Sequence, residues 1–117
     1  MALFLAAFLF VHGLIHLLGT AQAWHFAELP QLSQPISPLS GGLWLAASLL
    51  FCTAAIGLVA HSRWWWFIGS FAIVISMIAI APSWTDARFG AAANLVALIA
   101  VIRFDDKRRA SHAIAIP

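Results

Sequence analysis

Apolar residues in this chain run in long blocks, and few polar residues interrupt them. An α-helix rises 1.5 Å per residue, so the hydrocarbon core of a bilayer, about 30 Å thick, takes about 20 residues. Four blocks reach or approach that length: about 2–24, 43–60, 64–81 and 89–103. The first is broken only by His12, Gly13, His16 and Gly19. Gly41-Gly42 and His61-Ser62-Arg63 bound the second, and Pro82, which has no N–H to give a helix, stops the third. The fourth is short, and Arg103 and Phe104 extend it by snorkelling and interfacial anchoring. Period-two alternation is absent, and so few residues cannot close a barrel. The expected fold is all-α. It is an integral membrane four-helix bundle of two helical hairpins, one transmembrane domain over 1–117, with a loop at 25–42 and a basic tail at 104–117.

Composition supports this reading. The chain is 63% apolar and 9% charged, against about 45–50% and about 25% in soluble domains. That excludes a soluble globular protein, a disordered chain and a nucleic-acid binder, and makes the lipid bilayer the expected partner. The single cysteine, Cys52, cannot form a disulfide within the chain and reads as a small buried hydrophobe. Ala21-Gln22-Ala23 fits a signal-peptidase pattern. However, no Lys or Arg precedes the apolar run, and the run continues past His12, so an uncleaved first span is preferred.

Charge then sets orientation. Arg103, Asp105, Asp106, Lys107, Arg108 and Arg109 cluster at the end of the last span. Four spans put that cluster, the N-terminus and Arg63 on one side, and Arg88 alone on the other. The positive-inside rule makes both termini cytoplasmic, in a bacterial cytoplasmic membrane, with 25–42 and 82–88 facing outward. Trp24, Trp44 and Trp84 then mark the outer headgroup layer, and Trp64, Trp65 and Trp66 the inner one. Small residues suggest packing faces: Thr53, Gly57 and Ala60 in the second span, Gly69, Ser76 and Ala79 in the third, and Ala93, Ala97 and Ala100 in the fourth.

A few polar residues within this apolar frame stand out. His12 and His16 lie four apart on one helix face, His12 near the midplane and His16 about 6 Å nearer the outer surface. Ionisable groups at such depth face a bundle interior or a cavity. They either stay neutral and bond to neighbours such as Ser48, Thr53, Ser70 and Ser76, or share a metal ion from one side. They cannot sandwich a haem, whose axial ligands approach from opposite faces, but either could serve as a single haem ligand. Asp86 is a third-ligand candidate, but sits about 9 Å above His16 and about 15 Å above His12. Its plainer roles are a helix cap or an ion pair with Arg88. Asn94 matches His16 in depth, so a His16–Asn94 hydrogen bond is expected. Gln22, His25 and Glu28 could roof the pocket. The 25–42 connector, stiffened by Pro30, Pro35 and Pro38, is either a lid or a strap lying in the lipid interface. The candidate ligand-binding set is His12, His16, Gln22, Asp86 and Asn94, with His12 and His16 as candidate metal ligands.

The motifs His12-Gly13-Leu14-Ile15-His16-Leu17-Leu18-Gly19 and Trp84-Thr85-Asp86-Ala87-Arg88-Phe89-Gly90, followed by Asn94, resemble those of a group of uncharacterised small bacterial membrane proteins. The loop Glu28–Ile36 resembles that group as well, so the likeness spans about residues 12–94. The number of spans is similar to that of DoxX-type four-helix proteins. The resemblance implies a membrane bundle and assigns no catalytic residue.

Three functions fit these residues. The first is a non-catalytic subunit or ligand-binding module with a polar pocket in the outer half, acting in a larger membrane complex or a homo-oligomer. The second is a metal- or cofactor-dependent redox or lipid-modifying enzyme using His12 and His16, which stoichiometric metal or a visible chromophore would reveal. The third is a small-solute transporter, which histidine-dependent flux would reveal.

Overall fold

The computed structural model describes residues 1–30 and 32–115. These are 82% helical and include no strand. Helix α1 spans Ala2–Ala23, α2 Pro38–Val59, α3 Trp65–Ile80 and α4 Trp84–Ile114, with one 3-10 turn, Ala81–Ser83, between α3 and α4. Three runs are long and apolar enough to cross a membrane: α1, α2, and the 50-residue stretch Trp65–Ile114 that takes α3, the turn and α4 together.

Consecutive helices run antiparallel. Gly19 lies against Trp44, and Gly41 against Ala23. Likewise Gly69 faces Val101, Ser76 bonds Asn94, and Gly90 faces Ile80. Ala2, His61, Trp65 and Lys107 line one cavity, so the start of α1 and the later turns of α4 lie at the same end of the bundle. We call this the terminal end. The opposite end, closed by residues 24–37 and the 3-10 turn, is the strap end.

Local chemistry sets the helix boundaries. Ser37 is extended (φ −65°, ψ 155°), and its Oγ accepts the Ser40 N–H at 3.1 Å. Pro38 follows at the first helical position, where its missing N–H costs nothing. Helix α2 therefore begins at Pro38 rather than at Leu43, which shortens the connector. At their other ends α1 and α2 close alike. His25 (φ 58°) and His61 (φ 57°) take the left-handed conformation. The N–H groups of Phe26 and Ser62 then reach back to the carbonyls of Ala21 and Gly57 at 2.9 and 2.8 Å. This is the Schellman closure, with histidine where glycine is usual. Helix α4 continues well past Arg103, because no Gly or Pro follows Gly90 before the final residue. The expected tail is thus helical to Ile114, with an Asp105–Arg109 pair at 2.8 Å one turn apart.

The terminal half is packed by Leu5, Leu9, Phe51, Leu58, Trp65 and Val101. Helix α2 does not present Thr53, Gly57 and Ala60 together. Thr53 and Ala60 are exposed, and Thr53 Oγ1 donates to its own Leu49 carbonyl at 2.7 Å. The buried face instead runs through Trp44, Ala47, Ser48, Phe51, Ala54, Ala55 and Leu58. Two tryptophans also depart from the expected anchoring. Trp24, Trp64 and Trp84 are exposed, but Trp44 and Trp65 are each only 4% exposed. Glycines on partner elements admit them: Gly19 beneath Trp44, and Gly57 beside Trp65.

Candidate functional site

Helix α1 buries Leu5, Leu9, His12, Gly13, His16, Gly19, Thr20 and Ala23 along one face. This stripe recurs every three to four residues, so the same periodicity that packs the helix turns both histidines inward. Gly13 brings α2 close: a Cβ there would lie 3.0 Å from Phe51 Cβ and from the Ser48 carbonyl. Phe51 is thereby set against both imidazoles, with ring centroids 4.7 Å from His12 and 5.6 Å from His16.

Four hydrogen bonds join the polar residues of this region. His16 Nδ1 lies 3.0 Å from the His12 carbonyl, and His16 Nε2 lies 2.7 Å from Ser76 Oγ. Asn94 Nδ2 donates to the same Ser76 Oγ at 2.8 Å, and His12 Nε2 lies 3.0 Å from Asn94 Oδ1. For neutral imidazoles one fixed acceptor sets every direction. A carbonyl can only accept, so His16 carries its proton on Nδ1 and accepts at Nε2. Ser76 must then donate its hydroxyl proton to His16 and accept from Asn94. This leaves the Asn94 oxygen facing His12, which donates from Nε2. The chain starts and ends on residue 12 and ties α1, α3 and α4 together.

The expected His16–Asn94 bond is therefore replaced by His12–Asn94, with Ser76 between Asn94 and His16. Ser76 is fully buried, and its role was partly legible: it is the polar residue on the packing face of α3. Both histidine Nε2 atoms and His16 Nδ1 are already bonded within the protein. A metal ion held by this pair would have to break the His16 bond to Ser76 or to the His12 carbonyl. Among the described residues no group of three His, Cys, Asp or Glu side chains is placed to hold a metal. As bonded, the ring leaves only one imidazole nitrogen of the pair, His12 Nδ1, without a partner among the described residues.

Above the ring lies a cavity of about 300 Å³, with His12, His16, Trp44, Ile80, Asp86 and Ala93 among its lining. It opens along the seam of α1 and α4, the consecutive-ring neighbours that approach least closely. Ile15, Leu18 and Phe89, all exposed, form its lips. Leu29 and Leu32 of the connector cover its mouth. His12 Nδ1 finds no partner among the described residues. The Trp44 indole N–H is the one fully buried side-chain donor left unpaired among them, on a residue of the cavity wall.

The remaining candidates fasten the connector. Asp86 neither caps α4 nor pairs with Arg88. Its carboxylate accepts the Ser33 hydroxyl at 2.7 Å and the Gln34 N–H at 2.9 Å. These two bonds, the Ser33 hydroxyl first, hold the Asp86 carboxyl below its ordinary value of 3.8. Gln22 does not line the cavity. Its Oε1 accepts the Leu29 N–H at 2.8 Å and pins the strap from the α1 side. His25 closes α1, as above, and Glu28 is exposed. Thr20, which the sequence did not single out, donates to the Gly41 carbonyl at 3.0 Å and joins α1 to α2. The connector is thus both tied down and apolar beneath. Leu29, Leu32 and Ile36 are half-buried, whereas Phe26 and Leu39 point outward.

No protein-family profile, curated protein sequence or solved structure matches the chain.

Proposed function

We propose that this is a small four-span protein of the bacterial cytoplasmic membrane, both termini inside, that works as a non-catalytic ligand-binding module. Its ligand is a membrane-borne amphiphile that enters sideways between α1 and α4 in the outer leaflet. The observation that carries this reading is the strap-covered cavity. Its walls are mostly apolar, its floor holds the two histidines of the ring, and its lips open where lipid would lie. Ligand sites of this kind are apolar with a few placed polar groups. Here the free His12 Nδ1, on a residue of the cavity wall, is an acceptor suited to a hydroxyl-bearing head. The distribution of basic residues, with Arg63, Arg103, Lys107, Arg108 and Arg109 opposite Arg88, supports the orientation.

A fluorescent long-chain alcohol titrated into the purified protein in detergent tests the proposal. Saturable binding is expected. Ala93→Phe, which fills the cavity, should weaken it about 10-fold, in line with an overpacked site. Ala92→Phe, on the exposed neighbouring position, should leave it unchanged. Equal effects of the two substitutions would refute the site.

A further inference from the structure

The seam between α1 and α4 does not end at the His12–Asn94 bond. On the terminal side of that bridge it continues as a second groove of about 360 Å³, lined by Phe4, Phe8, Val96, Ala100, Arg103 and Lys107 among others. Its α4 wall follows one stripe of the helix, with steps of four, three and four residues. From Val96 to Lys107 that stripe rises about 17 Å, close to the about 15 Å depth of one hydrocarbon leaflet. The apolar part comes first and the two cations come last, so the order matches a lipid tail followed by its phosphate.

Charge sets this groove apart from its neighbour. A comparable groove between α1 and α2 is lined by Leu3, Phe10, Ile56 and Val59 with no charged residue. Nor is the charge of the α4 stripe cancelled by nearby acids. Asp105 pairs with Arg109 and lines a different cavity beside Arg63, and Asp106 is not part of the groove wall.

We propose that the terminal half of the α1–α4 seam is a binding site for one anionic phospholipid. An acyl chain lies along Phe4, Phe8, Val96 and Ala100, and the phosphate sits between Arg103 and Lys107. The site is separate from the strap-end cavity and shares with the proposed function only the premise that the helices lie in a bilayer. Each basic side chain near an anionic lipid headgroup contributes about fivefold in affinity, so the pair contributes about 30-fold.

The protein in neutral detergent is titrated with phosphatidylglycerol or with phosphatidylcholine of the same chains, and bound lipid is counted by native mass spectrometry. One phosphatidylglycerol should bind in preference to phosphatidylcholine. Arg103→Gln with Lys107→Gln should weaken it about 30-fold and erase the preference. Arg108→Gln with Arg109→Gln removes the same charge away from the stripe and should leave the preference intact. Ala100→Phe, which fills the groove without touching charge, should weaken both lipids. Circular dichroism of each variant reports whether it is folded, and the Ala100→Phe result stands independently of the charge variants. Equal losses in the two charge pairs, no preference in the parent chain, or a lipid-free dimer abolished by Ala100→Phe would overturn the site. Failure of the chain to insert into vesicles would refute the bilayer premise instead.

Discussion

The two halves of this bundle share the same four helices but hold together differently. In the terminal half the interior is Leu5, Leu9, Phe51, Leu58, Trp65 and Val101, with no buried polar side chain beyond the level of His12 among the described residues. In the strap half the interior holds His12, His16, Thr20, Ser48, Ser76 and Asn94. In the bilayer proposed above, lipid tails are as apolar as leucine, so burying a leucine among helices gains little by transfer. The terminal half must therefore depend on shape, with small residues letting helices close on large ones. The strap half depends on direction, because the four bonds among His12, His16, Ser76 and Asn94 have one arrangement that makes them all. A half built on shape should tolerate changes that keep volume. A half built on direction should not.

Where both demands meet, the largest effect is expected. A Cβ at Gly19 would lie 2.1 Å from Trp44 Cδ2, so Gly19→Ala should cost about 3 kcal/mol by forcing the indole or the helix aside. Gly42→Ala meets nothing within 4 Å and should gain up to about 1 kcal/mol from helix propensity alone. Unfolding in mixed micelles measures both. A result with the two alanines equal would dissolve the close-approach argument.

A volume-conserving pair sharpens the comparison itself. Leu9, fully buried in the terminal half, should accept Met at a cost under about 1.5 kcal/mol. Asn94→Leu keeps a similar volume, but strands the His12 Nε2–H and removes a donor from Ser76. Its expected cost is about 2 kcal/mol, an unsatisfied buried group being the main part. Equal costs at the two sites would erase the distinction between halves.

Smaller effects lie at the ends. His61→Gly relieves a left-handed residue (φ 57°) and should stabilise the chain by about 1 kcal/mol, with His61→Ala giving no such gain. The smallest global effect belongs to the Asp86 clasp, which is local. Its carboxyl is held below the ordinary value, so its contribution is fully present above the unfolded value and is lost as pH falls through the depressed one. The strap should stay latched at neutral and mildly acidic pH and release only in stronger acid. Hydrogen exchange at the Gln34 amide would follow this. In Asp86→Asn that amide should exchange faster at every pH. Release already near pH 6 in the parent chain would remove Asp86 as the latch.

Much of this was legible in the sequence, for a physical reason in each case. Two histidines four apart must share a helix face, and the hydropathy of the first block makes that face inward. Asn94 was readable as their partner because depth follows from rise per residue. Depth does not give rotation, however, so the sequence could not tell that Asn94 meets His12 and that Ser76 lies between it and His16. Trp44 looked like an interfacial anchor, since only the close pairing of α1 and α2 shows that Gly19 makes room for it. The closures at His25 and His61 were hidden because the residues there are not glycine. Ser37-Pro38, by contrast, is a plain N-terminal signal within a segment whose other prolines read as loop.

Nitrogen-15 NMR of histidine-labelled protein in micelles reads the ring of four hydrogen bonds through the tautomers of its two imidazoles. Two neutral histidines in opposite tautomers are expected, His12 protonated on Nε2 and His16 on Nδ1. Asn94→Leu should move the His12 signals while His16 keeps its proton on Nδ1. Matching tautomers in the parent chain, or a proton on His16 Nε2 alone, would contradict the ring and the floor it gives the cavity.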